Sequence, residues 1–259
     1  MNDELKVLAE GMHSAVADPL IVVARDVQTY QALRALVGKL PEMRAEDFDS
    51  QAVVAVFLGQ RMTGGYRVRL EANGAALKIS EEAPPPDAMV TQVLTTPFKT
   101  VAIKLERNDA LTIAADRAWQ QQMRPYRLDS GEVIVSGGLA GRTETHKLAG
   151  ELRIMRHEKL VTILFDLQSD RGYTMKSAAT GLIGSDGKLT IGFLNLGRLI
   201  PPPCSGLSAT GSFADAEEAR MQIDFAPAPC DASDAFSGRG TIKATATAPA
   251  PPKRGKEVL

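Results

Sequence analysis

The residues of this chain that could act on another molecule are few: three histidines, two cysteines and several small groups of carboxylates. His13, His146 and His157 lie far apart, and neither His-Glu-x-x-His nor Cys-x-x-Cys, the spacings that gather zinc ligands, occurs. No metal or cofactor is expected. His157-Glu158 has the composition of a hairpin turn, and His13 reads as a structural histidine. Cys204 and Cys230 each follow a proline-rich turn. In an oxidising compartment a disulfide between them would add ~3 kcal/mol by restricting the unfolded chain, the alternative being two buried thiols. Ser185-Asp186-Gly187-Lys188 has the Ser-x-x-Lys spacing of penicillin-recognising enzymes, but Asp-Gly marks a hairpin that points hydroxyl and amine elsewhere. Gly137-Gly138-Leu139-Ala140-Gly141 lacks the helix that a dinucleotide loop must open, so it reads as a turn. No Gly-x-Ser-x-Gly elbow is present, and the carboxylates Glu81, Glu82 and Asp87, Asp166 and Asp170, and Asp215, Glu217 and Glu218 have the pattern of surface charge. The expectation is a protein that is not an enzyme and has no catalytic residues.

The elements that would position a site point to Asp47–Leu105. Ala52–Leu58 is short, apolar and rich in β-branched residues, which predicts a strand covered on both faces. Gly59, Gly64 and Gly65 then permit left-handed backbone, so Gly59–Tyr66 should be a shaped loop. Tyr66–Leu70 alternates apolar and basic residues, Asn73-Gly74 fits a two-residue hairpin, and Leu77 and Ile79 turn inward on the returning strand. Glu81–Asp87, with three consecutive prolines, predicts an exposed acidic loop. Val101, Ile103 and Leu105 alternate as a half-buried strand.

Several of these motifs fall together in a known pattern. Glu10-Gly11-Met12-His13-Ser14, Leu20-Ile21-Val22-Val23, Asp47-Phe48-Asp49, Phe57-Leu58-Gly59-Gln60-Arg61-x-Thr63-Gly64-Gly65-Tyr66 and Val93-Leu94-Thr95-x-Pro97-Phe98 resemble the C-terminal domain of PrcB-type protease-complex subunits, over roughly residues 5–106. The resemblance implies an exported bacterial, non-catalytic accessory domain, in some members part of a cell-surface protease complex. It transfers no mechanism, and the rest of the chain lies outside it.

Leu5, Val7 and Ala9 alternate as a first strand, and Asp26 and Gly38 bracket a short amphipathic helix, Val27–Val37. Ala110–Met123 has helical spacing in Leu111, Ala114, Ala118 and Trp119, which predicts a helical joint ended by Pro125. From Glu132 short strands recur about every ten residues, the pattern of an antiparallel barrel or sandwich, with Val161, Ile163, Phe165 and Leu167 as one inward row and Met221, Ile223 and Phe225 as another. The expected fold is mainly β (α+β): a small mixed domain with one amphipathic helix on an antiparallel sheet (1–107), a helical joint (108–130), a barrel or sandwich (131–247) and a disordered tail (248–259).

A formal net charge of −1 disfavours nucleic acid and anionic membranes as partners. The longest apolar run, Ala52–Leu58, is far below the ~20 residues that span a bilayer. Met1–Glu4 has no signal-peptide character, so the chain is either periplasmic or extracellular after loss of a leader, or cytoplasmic. Two functions from different classes follow. In one, the chain is an accessory protein that binds a protein partner, such as a protease, through Gln60, Arg61, Thr63, Gly64, Gly65 and Tyr66. In the other, the second domain is a lipocalin-like carrier of a lipid-like ligand.

Overall fold

A computed structural model describes residues 5–251 apart from Ala140, Ala216, Asp231, Ser233 and Asp234. The expected tail from residue 252 onward, Met1–Glu4 and Ala140 of the glycine-rich turn lie outside the described residues.

The N-terminal half contains two sheets. In the first, β1 (Leu5–Gly11), β2 (Leu20–Ala24), β3 (Gln51–Phe57) and β6 (Phe98–Lys104) are antiparallel in the order β1-β6-β3-β2. β3 is the expected central strand, and Ala52–Phe57 are wholly buried because both of its faces are covered. The helix α1 (Val27–Val37) has the expected caps. Asp26 accepts the Thr29 N–H at 2.8 Å, and Gly38, at φ 84°, returns its N–H to the Arg34 carbonyl. The second sheet, β4 (Arg67–Asn73), β5 (Ala76–Glu82) and β7 (Thr112–Ala115), stands apart from the first. Tyr66–Leu70 therefore does not join the central strand's own sheet. Val68, Leu77 and Ile79 instead share one core with β3 and α1.

Three local expectations differ from the structure. Ala110–Met123 is not one helix: Thr112–Ala115 pairs in parallel with β5, and only the single turn α2 (Arg117–Gln120) is helical. Distant pairing with Ala76–Ile79 outweighs the local helical spacing. Trp119, fully buried, then donates its indole N–H to the Phe57 carbonyl at 2.9 Å. Glu81 and Glu82 belong to β5 rather than to an exposed loop, since Glu81 is held by Arg61. The alternation of β1 breaks at a bulge between Val7 and Ala9, which leaves Val7 about half exposed.

The remaining strands are β8 (Arg124–Gly137), β9 (Arg142–His157), β10 (Leu160–Ser169), β11 (Thr174–Ile183), β12 (Leu189–Asn195), β13 (Gly206–Phe213), β14 (Arg220–Pro227) and β15 (Ser237–Ala246). Each pairs antiparallel with the next and β15 closes on β8, so the eight form a complete barrel. Both expected inward rows do face the interior. Thr174–Ile183 forms one unbroken strand.

The barrel and the first sheet meet along β2. As a sheet edge, β2 would leave backbone groups unpaired, but the outer face of the barrel supplies two threonines. The Val23 N–H donates to Thr180 Oγ1 at 2.8 Å, Thr162 Oγ1 donates to the Ile21 carbonyl at 2.5 Å, and the two hydroxyls lie 2.8 Å apart. All are buried. Removing both hydroxyls with Thr162→Val and Thr180→Val should cost about 2 kcal/mol, because a buried donor and a buried acceptor lose their partners. Urea titration of the double variant measures this. Nearby, buried Arg25 donates to the carbonyls of Asp109 (2.5 Å) and Glu106 (2.8 Å), and its guanidinium lies 4.8 Å from the Phe193 ring centre.

Candidate functional site

The loop after β3 is built from backbone constraints first. Gly59 has φ 70°, and a Cβ there would sit 2.6 Å from the Ala17 carbonyl oxygen, so only glycine lets the chain pass this close to the 17–19 segment. Gln60 N–H then donates to Ala17 O at 2.8 Å. Arg61 and Thr95 exchange both backbone hydrogen bonds (2.8 and 2.9 Å), the Gly64 N–H donates to Thr91 O at 2.9 Å, and Thr95 Oγ1 donates to Thr63 O at 3.0 Å. Segments 61–64 and 91–95 therefore run side by side as a pinned pair. Gly65, at φ 89°, turns the chain into β4 against Pro84 and Val90.

One ion pair fixes this corner to the second sheet. Arg61 binds Glu81 through both forks, Nε to Oε1 at 2.9 Å and a terminal nitrogen to Oε2 at 2.8 Å. The two side chains are only 13% and 22% exposed, so water screens the pair less than it would at the surface. The third guanidinium nitrogen donates to the Gln60 carbonyl at 3.0 Å, and the Tyr66 ring lies 5.8 Å from the guanidinium carbon. Tyr66 is partly buried and stands between two hollows. One, of about 600 Å³, runs beside β4; the other, of about 450 Å³, is bounded by Gln60, Arg61, Met62 and Gln122.

The structure thus brings Gln60, Arg61, Thr63, Gly64, Gly65 and Tyr66 together in one hydrogen-bonded corner, with the Arg61 side chain turned inward to Glu81 and Thr63 held through its carbonyl. The apolar side chains this corner and its facing strip offer to solvent are not among the six residues expected to make contact. Met62 is 77% exposed, Met89 fully, Val93 53% and Leu94 47%. Their signal was present in the sequence as apolar residues without periodicity, Met62 in a glycine-bearing loop and Met89, Val93 and Leu94 between Pro86 and Pro97.

Cys204 and Cys230 are joined in a disulfide with Cα atoms 5.8 Å apart. Among the described residues no group of three or more His, Cys, Asp or Glu side chains is arranged to hold a metal, and no helix is long and apolar enough to cross a membrane. His13 is exposed, whereas His146 is buried edge-on against Tyr173.

A carrier would need an open lumen. Leu152, Ile163, Met175, Ile191, Ile223 and Ile242, from six different strands, have no surface that even a water molecule reaches. Leu196, Leu199 and Ile200 of the β12–β13 connection enter the same core, Ile200 lying against Gly238. The barrel is packed with its own side chains, as an eight-stranded barrel can be, and the carrier reading loses its cavity.

Residues 52–104 match the PrcB C-terminal family. The matched stretch thus runs from the first buried residue of β3 to the last residue of β6, and it contains the whole corner and its facing strip. No curated protein matches the chain. Among solved structures, a mutant of the vaccine antigen transferrin binding protein B from Haemophilus parasuis Hp5 is similar at 10% identity with a TM-score of 0.33. The match covers 76% of this chain and 35% of that one, so the chain spans about a third of that protein's length.

Proposed function

We propose that this chain is a non-catalytic accessory protein that works outside the cytoplasm and docks onto a protease or protease complex through the corner Gln60–Tyr66 and its facing strip, Met89–Leu94. The observation that carries the reading is the exposure of Met62, Met89, Val93 and Leu94 on backbone that is otherwise pinned by paired hydrogen bonds and the Arg61–Glu81 fork. Apolar side chains in water on a preorganised surface lose little entropy when a partner covers them, and methionine adapts to the partner's shape. The PrcB match over this same stretch favours a protease complex as the partner, and the disulfide favours an oxidising compartment. The packed barrel serves as the body that holds the corner in place.

The test is affinity capture from the surface fraction of the source cells. The wild-type chain should retain proteolytic activity, and Met62→Asp with Leu94→Asp should release it. Both positions are exposed, so the variant should fold with a stability change within about 0.5 kcal/mol of zero. Equal retention of protease by wild type and double variant would sink this reading, as would capture of no protease by either.

A further inference from the structure

A hollow of about 620 Å³ opens where the segment before β2 meets the end of the barrel. Asp18, Pro19 and Leu20 line it from one half, Ile154–Glu158 from the end of β9 and the turn after it, and Glu217 and Glu218 from the β13–β14 connection. It shares Pro19 and Gln122 with the hollow beside Met62, so it continues the docking corner across the joint. Leu20, Ile154 and Met155, all buried, give it an apolar floor. Its charges do not balance, because Asp18, Glu158, Glu217 and Glu218 face only Arg124 and Arg156. Arg156 is bonded to Glu218, and Arg124 donates to the Ala248 and Glu217 carbonyls at 3.0 and 2.7 Å. Asp18, Glu158 and Glu217 make no ion pair among the described residues. Asp18 Oδ1 is wholly buried and accepts no hydrogen bond among them, so nothing in the described protein neutralises this carboxylate from behind. Glu158 and Glu218 are also the two non-glycine residues at positive φ among the described residues, 50° and 55°. The fold thus holds two acidic side chains beside this hollow on backbone that glycine would adopt more readily.

We propose that this hollow receives a lysine side chain from a basic segment of the partner that docks on the corner. The inference rests on the docking reading and adds the chemistry of what the partner presents beyond Met62. Asp18 offers one carboxylate oxygen to whatever enters, its other oxygen being buried, which suits the compact ammonium of lysine better than the two-pronged guanidinium of arginine. The aliphatic stem of lysine matches the floor of Leu20, Ile154 and Met155, and its charge supplies what Asp18 lacks. Glu158 and Glu217 are both exposed and draw the neighbouring basic residues of the same segment. The carboxylates are spread around the hollow rather than gathered, and among the described residues no group of three is arranged to hold a metal, so an organic cation fits better than a divalent ion. With a formal net charge of only −1 for the whole chain, the attraction is local to this hollow.

The test uses the full chain and a labelled peptide that alternates alanine with lysine. Fluorescence anisotropy should show saturable binding that added salt weakens, and amide resonances should shift most at Leu20 and across Ile154–Glu158. A peptide that alternates alanine with glutamate should not bind. Glu158→Gln with Glu217→Gln, at exposed positions where the fold is kept, should weaken the lysine peptide about tenfold, and Asp18→Asn should weaken it by as much. No saturable binding, equal binding of the two peptides, or unchanged affinity in both carboxylate variants would overturn the proposal. Binding about tenfold tighter after Lys253, Arg254 and Lys256 are together replaced by glutamine would make the chain's own basic residues the occupant and would also overturn it. Shifts confined to Gly59–Tyr66 and Met89–Leu94 would overturn it while leaving the docking corner intact. Protease release by the Met62 and Leu94 variant is scored separately, so the two readings can fail independently.

Discussion

Replacing Arg25 with methionine should lower stability by about 3 kcal/mol, more than almost any exposed substitution could, because the side chain is a buried strap between the two halves. Arg25 is 6% exposed. Its two terminal nitrogens hold the Glu106 and Asp109 carbonyls at the end of the first sheet, and its face rests on Phe193 of β12, which Arg107 also approaches at 4.9 Å. Methionine keeps much of the volume but leaves both carbonyls without a charged donor. Burial pushes the Arg25 pKa down to about 10; the charge of Asp109 raises it, and that of Arg107 lowers it. The folded pKa lies below the unfolded one, so this residue's own linkage raises stability only as pH climbs through about 10 and beyond. Below about pH 9 the charge is present in both states, and the difference between wild type and Arg25→Met should be flat. Arg25→Lys should fall between the two, since an ammonium cannot reproduce the planar fork. Urea unfolding at several pH values checks each outcome.

The second large effect is expected at the disulfide. Replacing Cys204 and Cys230 together with serine should remove about 3 kcal/mol, the loop-entropy value for residues 26 positions apart. The loss has a defined location. Cys204 ends the connection that carries Leu196, Leu199 and Ile200 into the barrel, and the adjacent Ser205 donates to Asn108 Oδ1 at 3.0 Å while accepting from Asn195 at 2.9 Å. Faster hydrogen exchange should therefore appear first at residues 205–207 and around Asn108. Wild type in reductant should match the serine variant by both unfolding and exchange.

Much of the architecture was legible in sequence because it rests on local signals. Ala52–Leu58 could only be a doubly covered strand, Asp26 and Gly38 bracketed α1, and Ser185-Asp186-Gly187 and His157-Glu158 marked hairpins of a closed antiparallel barrel. What misled was pairing at a distance. Leu111, Ala114 and Ala118 keep helical spacing, yet Thr112–Ala115 finds a parallel partner in Ala76–Ile79, and no local pattern announces that. The same limit hid the Arg25 strap and the threonine cap on β2, which depend on residues from separate halves of the chain. For the corner, glycine spacing located the loop, and only the fold showed Arg61 turned inward to Glu81 and Met62 turned out.

The filled barrel and the pinned corner lead to one claim: partners are met by the N-terminal surface, and the barrel serves as its support. Hydrogen exchange of the chain alone and in its captured complex tests that claim most directly. Exchange should slow across Gly59–Tyr66 and Ala88–Leu94 and stay unchanged along β10, β11 and β14. Slowing concentrated in those barrel strands, with the corner unaffected, would contradict it.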